Sequence, residues 1–277
     1  MSGPRRLTVT ILGCGSSAGV PRVGQGWGAC DPRNPRNRRR RCGLLVSQGA
    51  EGAPASACTQ LLVDMSPDLR EQLLASDVRH LDAIMMTHAH ADHLHGIDDV
   101  RPLAQTAKSR IPVYMDDATA AEVLAKFGYI FQTPPGSSYP PLLADRRLTP
   151  GAPVAIDGPG GVIQVTPIRV RHGRIDALGF RFGPIAYTPD VSAIPDTSAD
   201  ALRNLDLWII DALRYRRHPT HICVEEALAY ASALGARRTI LTNLNADLDY
   251  ATLADELPAN VEPAYDGMQI VMERVDA

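Results

Sequence analysis

The 277-residue chain is long enough for one large domain or two small ones, and for a substantial buried core. Hydrophobic residues at 45% and charged residues at 21% exclude global disorder. A formal net charge of −3 gives no whole-chain case for nucleic acid or membrane as the partner, and no apolar run approaches the ~20 residues of a membrane span.

Met1-Ser2-Gly3-Pro4-Arg5-Arg6 is basic, but Leu7 to Leu12 alternates with threonines and reads as a first strand rather than a signal-peptide core. Strands are predicted at Leu7–Gly13, Gly43–Ser47, Gln60–Asp64 and Asp82–Thr87, parted by Gly, Pro and Asn clusters. Ser66-Pro67 opens a predicted helix through Ala75, with serine as cap and proline at the first helical position. A second helix is predicted over Asp116–Phe127, where Ala, Glu, Leu and Lys dominate. Thr133–Gly161 is rich in Pro and Gly and reads mostly as loop, a candidate lid. Strands resume at Val162–Arg171, Leu178–Phe182, Ile185–Thr188 and Leu207–Asp211. Helix Val224–Leu234, strand Arg238–Thr242, helix Tyr250–Leu257 and strand Met268–Met272 complete the order. With no internal repeat and no long linker, a single domain over residues 1–277 is expected, with two sheets covered by helices in an α/β layered arrangement. Five scattered cysteines (Cys14, Cys30, Cys42, Cys58, Cys223) contain no CxxC pair, which disfavours a disulfide framework and a cysteine zinc site and points to the cytoplasm.

The chemistry concentrates directly after the apolar strand Asp82–Met86, where four of the eight histidines fall between His88 and His95. An extended backbone turns His88 and His90 to the same side. Asp92 and His93 follow as the chain turns, placed to face a second centre. Neutral imidazole and carboxylate suit zinc, manganese or iron, so the stretch reads as a metal site rather than a His-rich surface loop.

Thr87-His88-Ala89-His90-Ala91-Asp92-His93 resembles the signature of the metallo-β-lactamase superfamily, whose fold is a four-layer αββα sandwich. The resemblance implies two divalent metal ions, zinc or manganese, on His88, His90, Asp92, His93, His172 and Asp190. Here Arg171-His172-Gly173 resembles the third histidine of the first metal, and Tyr187-Thr188-Pro189-Asp190 resembles the bridging aspartate. Asp64, ending Leu-Leu-Val-Asp, is similar to an aspartate that orients a metal-bound histidine. Residues 12–21, Cys30-Asp31-Pro32, residues 38–42, residues 95–101 and Pro219-Thr220-His221 with the Glu225–Leu228 helix are similar to the branch that contains phosphoribosyl cyclic phosphodiesterase of phosphonate breakdown. That resemblance implies that His221 acts on the scissile phosphate or leaving group beside the metals, with Asp92 also holding the attacking hydroxide in line. His218 is its weaker neighbour, and His80 and His95 are expected to be structural or exposed.

The chain departs from the superfamily where a late histidine serves the second metal. Leu241-Thr242-Asn243-Leu244-Asn245-Ala246-Asp247 has none, so the second metal is expected to be weak, to favour manganese, or to be absent. The branch's cysteine-rich zinc site is also missing. The expected activity is attack of a metal-bound hydroxide on a small, cyclic phosphodiester, since coordination lowers the pKa of water from about 15.7 to near 7. A tRNA 3′-processing nuclease and a thioester or lactone hydrolase of the same fold are the enzymatic alternatives. A weakened metal-binding scaffold that recognises nucleotides is the alternative of another class. Arg33–Arg41 permits two readings, a polyanion-binding loop or a solvated loop of paired arginines, and holds no aromatic residues for stacking on single strands. Nucleic acid is therefore not the favoured partner, a membrane is excluded, and relatives imply a homodimer.

Overall fold

Alternation at the N-terminus produces β1 (Arg5–Gly13), which turns Leu7, Val9 and Ile11 into the interior. The computed structural model describes residues 5–273, so residues 1–4 of the basic N-terminal segment lie outside it. The chain continues through β2 (Gly43–Ala50), β3 (Thr59–Val63), α1 (Leu69–Ala75), β4 (Ala83–Met85), α2 (Ala91–Leu94), α3 (Arg101–Ala107) and β5 (Ile111–Met115). Next come α4 (Asp117–Phe131), β6 (Leu143–Arg147), β7 (Val154–Ile156), β8 (Ile163–His172), β9 (Ile175–Phe182) and β10 (Ile185–Thr188). The last third holds α5 (Asp196–Ala199), β11 (Leu207–Asp211), α6 (Val224–Ala233), β12 (Arg238–Thr242), α7 (Tyr250–Glu256), β13 (Val261–Pro263) and β14 (Gln269–Glu273).

The strands form two seven-stranded sheets, ordered β14-β1-β2-β3-β4-β5-β6 and β13-β12-β11-β10-β9-β8-β7. Val9, Leu44, Val63 and Met85 from the first sheet share one buried core with Phe180, Tyr187, Ile209 and Ile240 from the second. Behind the first sheet, Leu62, Ile84 and Met86 pack with Leu69, Leu73, Ala120 and Val123 of the helices. Behind the second, Trp208 and Ile210 pack with Ala227, Ala231 and Leu253. The result is the expected α/β sandwich of helix, sheet, sheet and helix. Strands β3 to β6 run parallel, as do β10 to β13. Their carboxyl ends leave loops free of the ladder, where ligand sites of open α/β sheets form.

The sequence expectations need correction in several places. The stretch Thr133–Gly161 is mostly loop, as expected, but it also holds two short strands the sequence reading missed, β6 and β7. β6 is an edge strand whose last residues, Arg146 and Arg147, are exposed, so it lacks the apolar run that marks a central strand. β5 is missed because Pro112 interrupts its apolar run. The helix expected from Ser66-Pro67 begins at Leu69, with Asp68 at the cap position. Ser66 is buried, its hydroxyl accepting from the Asp68 backbone and meeting Gln72 at 2.9 Å, so it braces the turn before the helix. The second helix runs past Phe127 to Phe131, with a kink at Phe127 (φ −128°, ψ 26°).

The arginine stretch is mostly committed internally. Arg39 is 2% exposed and donates to the carbonyls of Asn245 (3.1 Å) and Leu248 (2.7 Å). Arg36 lies over the rings of Tyr250 and Tyr265, Arg33 pairs with Asp31, and Arg41 pairs with Asp68.

Candidate metal centre

Parallel pairing of β3 with β4 brings Asp64 beneath the loop that follows β4. Asp64 sits at φ 66°, in the left-handed region that aspartate tolerates better than most residues. Its Oδ1 accepts from the Thr87 backbone N–H at 2.8 Å, and its Oδ2 accepts from the Thr87 hydroxyl at 2.8 Å and meets His93 Nδ1 at 2.7 Å. Both oxygens are thus spent on fixing the loop, and His93 has only Nε2 to present. That atom lies 2.8 Å from Asp190 Oδ2 and 3.5 Å from Asp92 Oδ2.

The second half of the chain delivers its donors one strand end at a time. His172 ends β8, Asp190 follows β10, and Asp211 ends β11. The Thr220 carbonyl holds His172 Nδ1 at 2.8 Å, which turns Nε2 to within 3.2 Å of His90 Nδ1. Three overlapping groups of potential ligand atoms result, each within 4.8 Å: His88, His90 and His172; His88, His93 and Asp190; His172, Asp190 and His221. Five of the six expected metal ligands fall in these groups, and His221 joins them. Asp92 falls in none, since it sits on the first turn of α2 with its carboxylate on the cavity wall.

The donor chemistry fits divalent cations. His88 Nε2 is buried and has no hydrogen-bond partner among the described residues, an arrangement that costs stability unless something accepts that lone pair. Burial first, and neighbouring imidazoles second, hold His88 well below its ordinary pKa, which keeps it in the neutral form a metal requires. Burial, reinforced by neighbouring His221, likewise lowers His172. Burial opposes the charge of Asp190, but His93, His88 and His221 outweigh it and hold this carboxylate well below its usual range.

Asp211 is a residue of the site that sequence reasoning missed. It is fully buried, accepts from the Val191 backbone at 2.9 Å, and meets His221 Nδ1 at 2.8 Å. Burial opposes the charge on His221, yet the hydrogen bond and field of Asp211, with Asp190 and Asp92, raise its pKa. Burial likewise raises Asp211, to about 7, and it titrates together with the His221 it holds. The signal was available: Leu-Trp-Ile-Ile-Asp at β11 repeats the pattern of an apolar strand closed by aspartate seen in Leu-Leu-Val-Asp at Asp64.

The late Asn243 (φ 61°) turns its amide nitrogen, not its oxygen, to the site. It donates to the Pro189 carbonyl at 3.1 Å and Asp190 Oδ1 at 3.2 Å. The Asn245 amide oxygen accepts from Arg22 instead. Neither asparagine presents an oxygen in place of the absent histidine. His218 stands on the rim, its ring 5.3 Å from that of His221. His80 meets the Cys58 carbonyl at 3.0 Å, and the exposed His95 packs on Phe127, both away from the cluster.

Residues 59–242 match the family described as the beta-lactamase superfamily domain. Over 270 residues the chain is 30% identical to an octanoyltransferase of Porphyromonas gingivalis; the match covers 95% of this chain and 51% of that protein, so the chain spans about half the relative's length. A ribonuclease Z of Bradyrhizobium diazoefficiens is 25% identical over 251 residues, with 69% of this chain and 81% of that protein covered. Among solved structures, a diphosphatase from the PhnP family is 35% identical with a TM-score of 0.84, and the match covers 97% of this chain and 98% of that one.

Proposed function

The chain belongs to the beta-lactamase superfamily, and from that membership we propose that it is a cytoplasmic, single-domain, metal-dependent hydrolase of small phosphodiesters, cyclic ones included. The observation that carries the reading is the convergence of His88, His172 and Asp190, each shared between two groups of ligand atoms. His88, His90, His172 and Asp190 would hold one cation, and His93 and Asp190 the second, with Asp92 beside them. Two divalent cations, zinc or manganese, would supply Lewis acidity there, activating water near neutral pH and neutralising the oxygens of the reacting phosphate.

The protein's own groups divide the remaining work. Asp64 fixes His93 through Nδ1, so the imidazole keeps one orientation through the reaction. His221 takes its place at the cavity wall with Nδ1 on Asp211, which leaves Nε2 to hand a proton to the departing alkoxide. Asn243 binds Asp190 Oδ1 and leaves Oδ2 toward His93. Asn243 turns an N–H donor to the site where the resemblance implies a histidine ligand, which supports a loosely held second cation.

The relatives' names bear on the reaction unequally. A diphosphatase and a ribonuclease Z both act at phosphorus, which supports the phosphodiester reading. The name octanoyltransferase belongs to a protein about half of which lies outside the match, and it gives no separate support for acyl transfer here. The internal pairing of Arg33, Arg36, Arg39 and Arg41 favours a small diester over an RNA.

Metal-replete protein is expected to turn over bis(p-nitrophenyl) phosphate, to lose that activity with a chelator, and to regain it with manganese or zinc. Protein inert toward phosphodiesters but active on a thioester or lactone rejects the proposal.

A further inference from the structure

The two residues that join β8 to β9, Gly173 and Arg174, stand on the rim of a cavity of about 740 Å³ whose walls include His90, Asp92, Asp190 and His221. The turn is clamped. Gly173 adopts φ 61°, its backbone donates to Ser192 Oγ at 2.9 Å, and a Cβ there would lie 2.6 Å from the Thr220 side chain. The preceding His172 is tied to the Thr220 carbonyl. Arg174 therefore leaves the backbone at a fixed point beside the ligand cluster.

Its charge is uncompensated. The hairpin carries three arginines near this end, and its acid, Asp176, is occupied by the other two: Arg171 pairs with Oδ1 and Arg169 Nε lies 3.7 Å from Oδ2. Arg174 is exposed and has no ion pair or hydrogen bond among the described residues, yet it lines the cavity rather than the outer face of the sheet. A guanidinium fork matches the oxygens of a phosphate bidentately, and no protein group here competes for it.

We infer that Arg174 binds a second anionic group of the substrate, a phosphate that flanks the scissile one, and so selects diphosphate diesters over diesters of single charge. The inference rests on the proposed phosphodiester reading of the same cavity.

Steady-state kinetics of metal-replete wild type, Arg174→Ala and Arg174→Lys on two probes test it: ADP-ribose, a diphosphate diester, and bis(p-nitrophenyl) phosphate. Arg174→Ala is expected to raise KM for ADP-ribose about 10-fold or more, the scale of one lost charge-assisted pair, while kcat/KM for bis(p-nitrophenyl) phosphate stays within about 2-fold. Arg174→Lys should recover part of the KM. An unchanged KM for ADP-ribose, or equal losses on both probes, overturns the assignment while leaving the hydrolase reading intact. Wild type that cleaves bis(p-nitrophenyl) phosphate but not ADP-ribose also overturns the assignment alone. Wild type inert on both, with metal bound, overturns the hydrolase reading and the assignment together.

Discussion

The two halves of the sandwich supply the candidate site in opposite ways. The first half gives His88, His90, Asp92 and His93 from one loop after β4, locked by Asp64. The second gives His172, Asp190, His221 and Asn243 from separate strand ends and connections, with Asp211 fixing the backbone beside Asp190 and the ring of His221. The two buried aspartates differ in use. Asp64 has both oxygens engaged, whereas Asp211 Oδ1 has no hydrogen-bond partner among the described residues. The contrast suggests that the first half is built for rigidity and the second for proton handling.

Four measurements can break or sharpen that contrast. Asp64→Ala should show the largest effect, a loss of about 3–5 kcal/mol in urea unfolding, since it strips a buried carboxylate from His93 and Thr87. A loss under about 1 kcal/mol would remove the rigid-half reading. His221→Ala should slow phosphodiester turnover about 100-fold, the scale of a lost general acid, with metal content per chain unchanged. A fall in metal content instead would move His221 from proton donor to ligand. Asp211→Asn keeps the shape of the side chain and should cost about 10-fold in turnover with little change in unfolding midpoint.

The smallest effect tests the seam between the halves. Asp249 caps α7, and it also accepts from the Asp31 backbone and from Asn37. Burial opposes its charge, but those hydrogen bonds lower its pKa to about 2. Because the folded value lies below the ordinary ~4, the stabilisation is complete above pH ~4 and disappears as pH falls through 2. Asp249→Ala should therefore cost about 1 kcal/mol at pH 6, a gap that narrows toward pH 2. A gap that stays constant with pH would separate the cap from the carboxylate's charge.

The same asymmetry decides what the sequence discloses. Five ligand-type side chains within eight residues announce themselves, because the backbone alone brings them together. His172 and Asp190 are legible only through resemblance, since their approach to His88 depends on two sheets packing face to face. Asp211 is hidden more deeply, as a strand-ending aspartate is commonplace until the His221 ring is seen against it. The arginine stretch misleads in another way: charge density suggests a surface, yet Arg39 is buried because Asn245 and Leu248 offer carbonyls across 206 and 209 residues of chain. β5 and β6 escape because proline and arginine mask short strands that the neighbouring ladder stabilises.

One pairing sets a timetable for assembly. β1 is flanked by β2 on one side and by β14, from the far end of the chain, on the other. During synthesis at about 5–20 residues per second, the outer rim of β1 waits for more than ten seconds before its partner emerges. Until then the nascent sheet presents a bare ladder that another polypeptide can occupy. Vectorial translation thus leaves this rim open to misassembly until β14 is made, and removing β14 would make that hazard permanent.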